Sequence, residues 1–262
     1  MTTNSVSELR YITQSESRAR TLVILSEAGE LERAELESRL DASHRTVVRV
    51  VKSLRERGYL RETDGSLRLT PFGSHVADEL DGFLETTDLA VTFRPLLRHA
   101  PPALETIDLE DLEGAELLVA SESDPFSILD RILTLRSEAT RIREVAPGVQ
   151  KESVDQLAER IRSGEDIDVE AVIPRQAGDI ADSRTEYRDG HAVATDSDDV
   201  DIYVHPDQMS FFAGAADGTA MVSVSRNERP YALAISENPA LRATVESIFE
   251  TYREQSTLKT PG

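Results

Sequence analysis

Between Ser17 and Gly73 the chain carries three apolar-patterned runs in a fixed order, closed by a hairpin signal. The first is Thr21-Leu-Val-Ile-Leu-Ser-Glu-Ala-Gly29, with Leu22, Ile24, Leu25 and Ala28 near helical spacing and Gly29 placed to end the helix. Arg33–Leu40 follows as a short helix with Ala34, Leu36 and Leu40 expected inward, then the turn Asp41-Ala42-Ser43. A longer helix runs from His44 to Arg57 and stops at Gly58, with Val47, Val50, Val51 and Leu54 as its buried stripe and Ser43 as its N-cap. Tyr59–Glu62 and Ser66–Leu69 flank Asp64-Gly65, a strong two-residue hairpin signal. Short helix, turn, longer helix and hairpin together read as a winged helix-turn-helix, whose longer helix enters the DNA major groove.

Ser43, His44, Arg45, Thr46 and Arg49 occupy the outward N-terminal half of that helix, where base edges are met, and arginine is the commonest bidentate reader of guanine. Lys52 and Arg55 lie farther along and are expected at phosphates, which position a protein without reading sequence. Arg68 on the wing, with Arg61 beside it, is expected at the adjacent backbone or minor groove. An exposed arginine face can equally serve protein contacts, so an adaptor role stands as the alternative.

From Pro71 to about Arg98 the pattern stays helical, with Phe72, Val76, Leu80, Phe83 and Leu84 spaced by three or four. This helix is expected to join two domains and to serve as a dimer element. Beyond it, strand signals at 116–120, 140–145, 167–173, 191–194, 201–205, 208–213 and 220–225 alternate with helices at 125–135, 151–163 and 239–252, and Asp124-Pro125 is expected to cap the first of these. The expectation is an α+β protein: a winged helix-turn-helix over 1–75, a connecting and dimerising helix over 76–102, and a mixed α/β sensing or dimerising domain over 103–262.

Charge divides the same way. Residues 1–80 carry 12 basic and 13 acidic side chains, whereas residues 81–262 carry 17 and 36. DNA contact is thereby confined to the first third, because the remainder repels phosphate. Formal net charge is −20, and only three of the 29 basic residues are lysine: Lys52, Lys151 and Lys259. Such a balance resembles proteins of halophilic archaea. At about 1 M salt the Debye length is about 3 Å, so crowded carboxylates scarcely repel one another. Phosphate attraction fades under the same conditions. Specific binding is then expected to rest on base contacts, apolar burial and a doubled footprint, which favours a homodimer with two helices about 34 Å apart.

Other chemistries lack their residues. The chain has no cysteine, which removes disulfides, thiol catalysis and zinc-thiolate sites. There is no apolar run of about 18 residues and no secretory signal at the start, so a cytoplasmic protein without a membrane span is expected. No dinucleotide-binding, Walker, zincin or nucleophile-elbow motif occurs, and no cofactor is expected. His191, His205, Asp196, Asp199, Asp201 and Asp207 match no metal-ligand spacing and read as two surface histidines among solvated carboxylates. Tyr203, Phe211 and Phe212 read as core. A hydrolytic enzyme remains the weakest alternative.

Arg33–Gly73 resembles archaeal winged-helix regulators. Phe93-Arg-Pro-Leu-Leu-Arg-His-Ala-Pro-Pro102, Leu109-Glu-Asp-Leu-Glu-Gly-Ala-Glu-Leu-Leu118 and Asp124-Pro125 resemble the C-terminal domain of the archaeal regulators first described as controlling filament formation in methanogens. The resemblance implies a transcription factor with a DNA-binding head and a sensing or dimerising domain; it implies no known ligand, and an unknown small-molecule effector is a candidate partner of the sensing role. A related resemblance is to archaeal sugar-sensing regulators with phospholipase D-like effector domains; His205-Pro-Asp207 lacks the lysine of that fold's catalytic signature, so phosphodiester chemistry is not expected.

Overall fold

The computed structural model describes residues 3–227 and 229–259, with side chains from Ser5 onward. Residues 1, 2, 228 and 260–262 lie outside the described residues; they include the start of the segment read for a secretory signal and both outer limits of the domain ranges. The chain divides into two compact units, Met1–Asp88 and Leu89–Gly262.

In the first unit, α1 (Thr3–Thr13), α2 (Glu16–Ala28), α3 (Arg33–Leu40) and α4 (His44–Glu56) surround one apolar core, and β1 (Leu31–Glu32), β2 (Leu60–Thr63) and β3 (Ser66–Leu69) form a small antiparallel sheet in the order β1-β3-β2. Leu22, Leu25, Leu36, Leu40, Val47, Val50, Val51, Leu54 and Leu67 are buried together, as their spacing predicts. Ala34 is the exception: it is exposed on the first turn of α3, and Leu36 and Leu40, four apart, carry that helix's buried face. Helix α1 and strand β1 do not follow from the local pattern. Strand β1 is only two residues long and exists through its pairing with Leu67 and Ser66. Helix α1 docks by burying Ile12, and by Glu8, which accepts a hydrogen bond from the Tyr59 hydroxyl at 2.6 Å and pairs with Arg57 at 2.8 Å.

Helix α5 (Pro71–Thr92) leaves the wing under tight constraint. Thr70 caps it, its Oγ1 accepting from the Gly73 N–H at 3.0 Å. A Cβ on Gly73 would stand 1.8 Å from the Tyr59 carbonyl oxygen, so only glycine lets this helix pass so close to the end of α4. Phe72 and Phe83 remain 50% and 56% exposed, while Leu80 is buried. The helical run breaks at Phe93 and resumes as α6 (Arg94–Leu97).

The second unit is an eight-stranded mixed sheet. Its strands are β4 (Glu116–Val119), β5 (Arg141–Val145), β6 (Asp168–Pro174), β7 (Val200–His205), β8 (Phe211–Ala216), β9 (Thr219–Arg226), β10 (Arg229–Ser236) and β11 (Thr257–Leu258), in the order β11-β7-β6-β5-β8-β9-β10-β4. Strands β5, β6 and β7 are parallel and the remaining pairings antiparallel. Successive residues alternate between two apolar cores. Val145, Val172, Phe211, Ala213, Val222 and Ala234 face one, against α11 (Pro239–Glu254). Ile142, Val169, Ile202, Phe212, Met221 and Leu233 face the other, under α7 (Ser127–Glu138), α8 (Lys151–Ser163), α9 (Arg175–Ser183) and α10 (Thr185–Thr195). Covering both faces turns β8–β10 into near-continuous apolar runs rather than alternating ones.

Two local expectations are corrected. His191–Ala194 is part of helix α10, not a strand; His191 and Ala194 are buried at helical spacing, and a four-residue apolar run cannot distinguish the two states by itself. Asp124-Pro125 does not open α7. That helix starts at Ser127 after Phe126, while Asp124 belongs to the preceding turn, its N–H donating to Ser121 Oγ at 3.1 Å.

Candidate nucleic-acid interface

Helix α4 is fixed at both ends and along one face. Asp41, at φ 50°, closes α3, and its N–H donates to the carbonyls of Glu37 and Ser38. Ser43 then caps α4, its Oγ accepting from the Thr46 N–H at 3.3 Å. Val47, Val50, Val51 and Leu54 are buried, which turns the opposite face to solvent. In the wing, Asp64 and Gly65 both take positive φ (54° and 84°), matching the hairpin turn whose twist suits its strands. That register sets Arg61 directly opposite Arg68, so the two share one face of the wing.

The cations fall into two groups. Arg45 and Arg49 are exposed on the first turns of α4 and make no ion pair among the described residues. Others are held by carboxylates. His44 Nδ1 lies 2.5 Å from Glu37 Oε1 and Lys52 Nζ 3.9 Å from Glu56. Arg55 reaches Glu62 at 3.2 Å, and Arg33 meets the same oxygen at 2.7 Å. Arg68 pairs with Glu30, whose carboxyl is pulled below the usual range by the hydrogen bonds of Arg68 and Ser66. Ser43 and Thr46 hydroxyls bond each other at 3.0 Å.

The acidic partners Glu30, Glu37 and Glu62 are not legible in the sequence, because they lie 38, seven and seven residues from the cations they hold and carry no local pattern. Arg61 takes only a secondary place there, although the Asp64-Gly65 register already sets it across from Arg68. Arg57, at the end of α4, stacks over Tyr11 at 3.8 Å and pairs with Glu8, which ties it to the unit's own packing.

In the second unit His191 and His205 are buried rather than on the surface. His191 is held by Asp182 at 3.2 Å, and His205 lies against Tyr252 and the backbone of Asp207. Among the described residues no group of three or more His, Asp or Glu is placed to hold a metal ion, and no helix is long and apolar enough to cross a membrane. Phe211 and Phe212 are core, and Tyr203 packs against it.

The helix-turn-helix with its wing and the two-faced mixed sheet, together with the two family models that match the chain, mark an archaeal winged helix-turn-helix regulator. The family model for the middle domain of the methanogenesis regulatory protein FilR1 matches residues 125–255, half of the chain, and the chain belongs to that family. The model for the HVO_A0261 N-terminal domain matches residues 6–92. No curated protein sequence matches the chain. Among solved structures, the archaeal chromatin protein TrmBL2 matches at 13% identity over 96% of this chain and 98% of its own, with a TM-score of 0.43. The adhesin competence repressor AdcR of Streptococcus pyogenes matches at 21% identity over 52% and 91%, with a TM-score of 0.28. An IclR-family regulator of Rhodococcus matches at 13% identity over 92% and 94%, with a TM-score of 0.19. Likenesses at these scores carry no weight for function.

Proposed function

We propose that the chain is a sequence-specific DNA-binding transcriptional regulator of a halophilic archaeon, acting in the cytoplasm as a homodimer whose second unit receives a signal. One observation carries this reading. Arg45 and Arg49 stand exposed, without an acidic partner among the described residues, on the first turns of a helix locked by its cap and its buried valines. That is where a recognition helix presents base-reading side chains. Lys52, Arg55 and Arg68 serve phosphates once they leave Glu56, Glu62 and Glu30. Ser43 and Thr46 order the helix start, and His44 flanks it. Helix α5, with Phe72 and Phe83 exposed, is the proposed dimer element, and the domain limits 1–75, 76–102 and 103–262 describe the working parts.

The test is an Arg45→Ala, Arg49→Ala double variant assayed on the promoter DNA that the protein occupies in its host. Each bidentate base contact contributes about 1–3 kcal/mol, so specific binding is expected to fall at least about thirty-fold, with melting unchanged. Unaltered specific binding would overturn the assignment of α4. An occupancy profile without discrete DNA sites would favour the adaptor reading instead.

A further inference from the structure

Between the second core of the sheet and helices α7, α8 and α10 lies a cavity of about 150 Å³. Most of its wall is apolar, formed by Ile128, Ile132, Leu157, Val169, Ile202 and Phe212 among others. Three titratable side chains also line it, and each is more than nine-tenths buried: Arg136 (5% exposed), Glu144 (6%) and His191 (5%). Each carries an atom that is buried and, among the described residues, has no hydrogen-bond partner: Arg136 Nε, Glu144 Oε2 and His191 Nε2. Folded proteins pair most of their buried polar atoms, so three unpaired atoms around one cavity point to a ligand.

The chemistry of the three is definite. Arg136 Nη1 faces Glu144 Oε1 at 3.5 Å and also bonds Ser153, so the two charges compensate each other and leave Nε–H as a donor and Oε2 as an acceptor. Arg160 holds this arrangement in place, donating to the carbonyls of Arg136 and Ala139 at 2.6 and 2.7 Å and so tying down the end of α7. His191 Nδ1 lies 3.2 Å from the Asp182 carboxylate, which fixes the proton on Nδ1 and leaves Nε2 as an acceptor. Burial and the Lys259 charge together keep the ring's pKa below its ordinary value, so it is neutral at pH 7. The unpaired atoms of these three side chains are therefore one donor and two acceptors with no net charge, and Gln150, Ser153, Ser223 and Ser225 add neutral polar groups to the wall. A charged ligand would leave water without a compensating partner. An apolar cavity of about this size takes up a molecule such as benzene.

We propose that this cavity is the effector site, and that it takes an uncharged molecule of about one ring in size whose head offers one acceptor and two hydrogens, as a primary carboxamide does. Its effector role rests on the regulatory function proposed above. The carboxamide carbonyl accepts from Arg136, and its two N–H groups donate to Glu144 and His191. The chain segments that build the cavity also set the packing of α7, α8 and α10, so occupancy has a direct route to the shape of this unit.

Calorimetry of the full chain with benzamide, benzoate and toluene tests the assignment. Benzamide is expected to bind saturably at one site, and benzoate and toluene at least tenfold more weakly. Ala171→Leu fills the cavity from β6 and is expected to abolish benzamide binding. Glu144→Gln keeps the shape but leaves Arg136 uncompensated, so benzoate should gain at least tenfold relative to benzamide, a reversal that simple loss of structure cannot produce. Absence of saturable benzamide binding, equal binding of benzamide and benzoate, or binding that survives Ala171→Leu would each overturn the site. Promoter affinity is measured with and without saturating benzamide, and a change of threefold or more is expected. Benzamide binding with unchanged promoter affinity would overturn the effector role. Loss of specific DNA binding in every condition would overturn the regulatory reading and leave the cavity assignment standing.

Discussion

Arg55 on helix α4 and Glu62 on the wing are 3.2 Å apart, and Arg33 meets the same carboxylate oxygen at 2.7 Å. One glutamate thus occupies two guanidinium groups, one of them that of Arg55, which is proposed to meet DNA. Glu62→Gln should release both. Promoter affinity is expected to rise severalfold in dilute salt, and the gain should shrink as salt increases, because phosphate contacts are the salt-sensitive part of binding. The Glu62 side chain is 17% exposed, and ion pairs at a surface contribute about 1 kcal/mol, so melting should fall by no more than a few degrees. Binding titrations over a salt series would check this, and an unchanged affinity in dilute salt would place Arg55 away from DNA.

Gly73 touches the Tyr59 carbonyl more closely than any side chain permits. Gly73→Ala is therefore expected to destabilise the first unit by about 1–3 kcal/mol, the usual range for overpacking. Chemical denaturation read on this unit would measure it. A variant as stable as the parent would mean that α5 shifts freely relative to the end of α4 within the unit.

His191 gives the second unit an acid-side dependence. Burial, with the Lys259 charge, lowers its pKa below 6.5, against the opposing pull of Asp182. Below pH 6.5 the unfolded chain then binds the proton more readily than the folded one. Stability is fully present above about pH 6.5 and falls as pH drops towards the folded pKa. His191→Gln should flatten the melting midpoint over that window, and a slope identical to the parent's would show that other groups produce it.

Self-repulsion sets a salt dependence for the whole chain. With a formal net charge of −20, most of it beyond residue 80, the second unit is expected to melt at lower temperature in dilute salt than in molar salt. Melting across a salt series checks this, and a flat midpoint would contradict it.

The first unit was largely legible because its signals are local. Ser43, the valine stripe of α4 and Asp64-Gly65 each act over a few residues, and each appears where its spacing places it. The second unit was less so. Strand β10 and helix α9 carry no readable signal, and His191–Ala194 of α10 reads as a strand, because a sheet covered on both faces erases the alternation that marks a strand, and because short apolar runs suit either state.

By itself the sequence determined the helix-turn-helix, the wing turn and the near-neutral charge of the first third against an acidic remainder, since capping, periodicity and charge are properties of neighbouring residues. Only tertiary structure decided which cations stay unpaired. Arg45 and Arg49 look no different in sequence from Arg55 and Arg68, yet the latter two are held by Glu62 and Glu30, brought to them by the packing of the wing against the helices. Tertiary structure also gathered Arg136, Glu144 and His191, from two helices and a strand, around one cavity. Burial there gives meaning to polar atoms that carry no local signal in the sequence, where His191 reads as a surface residue.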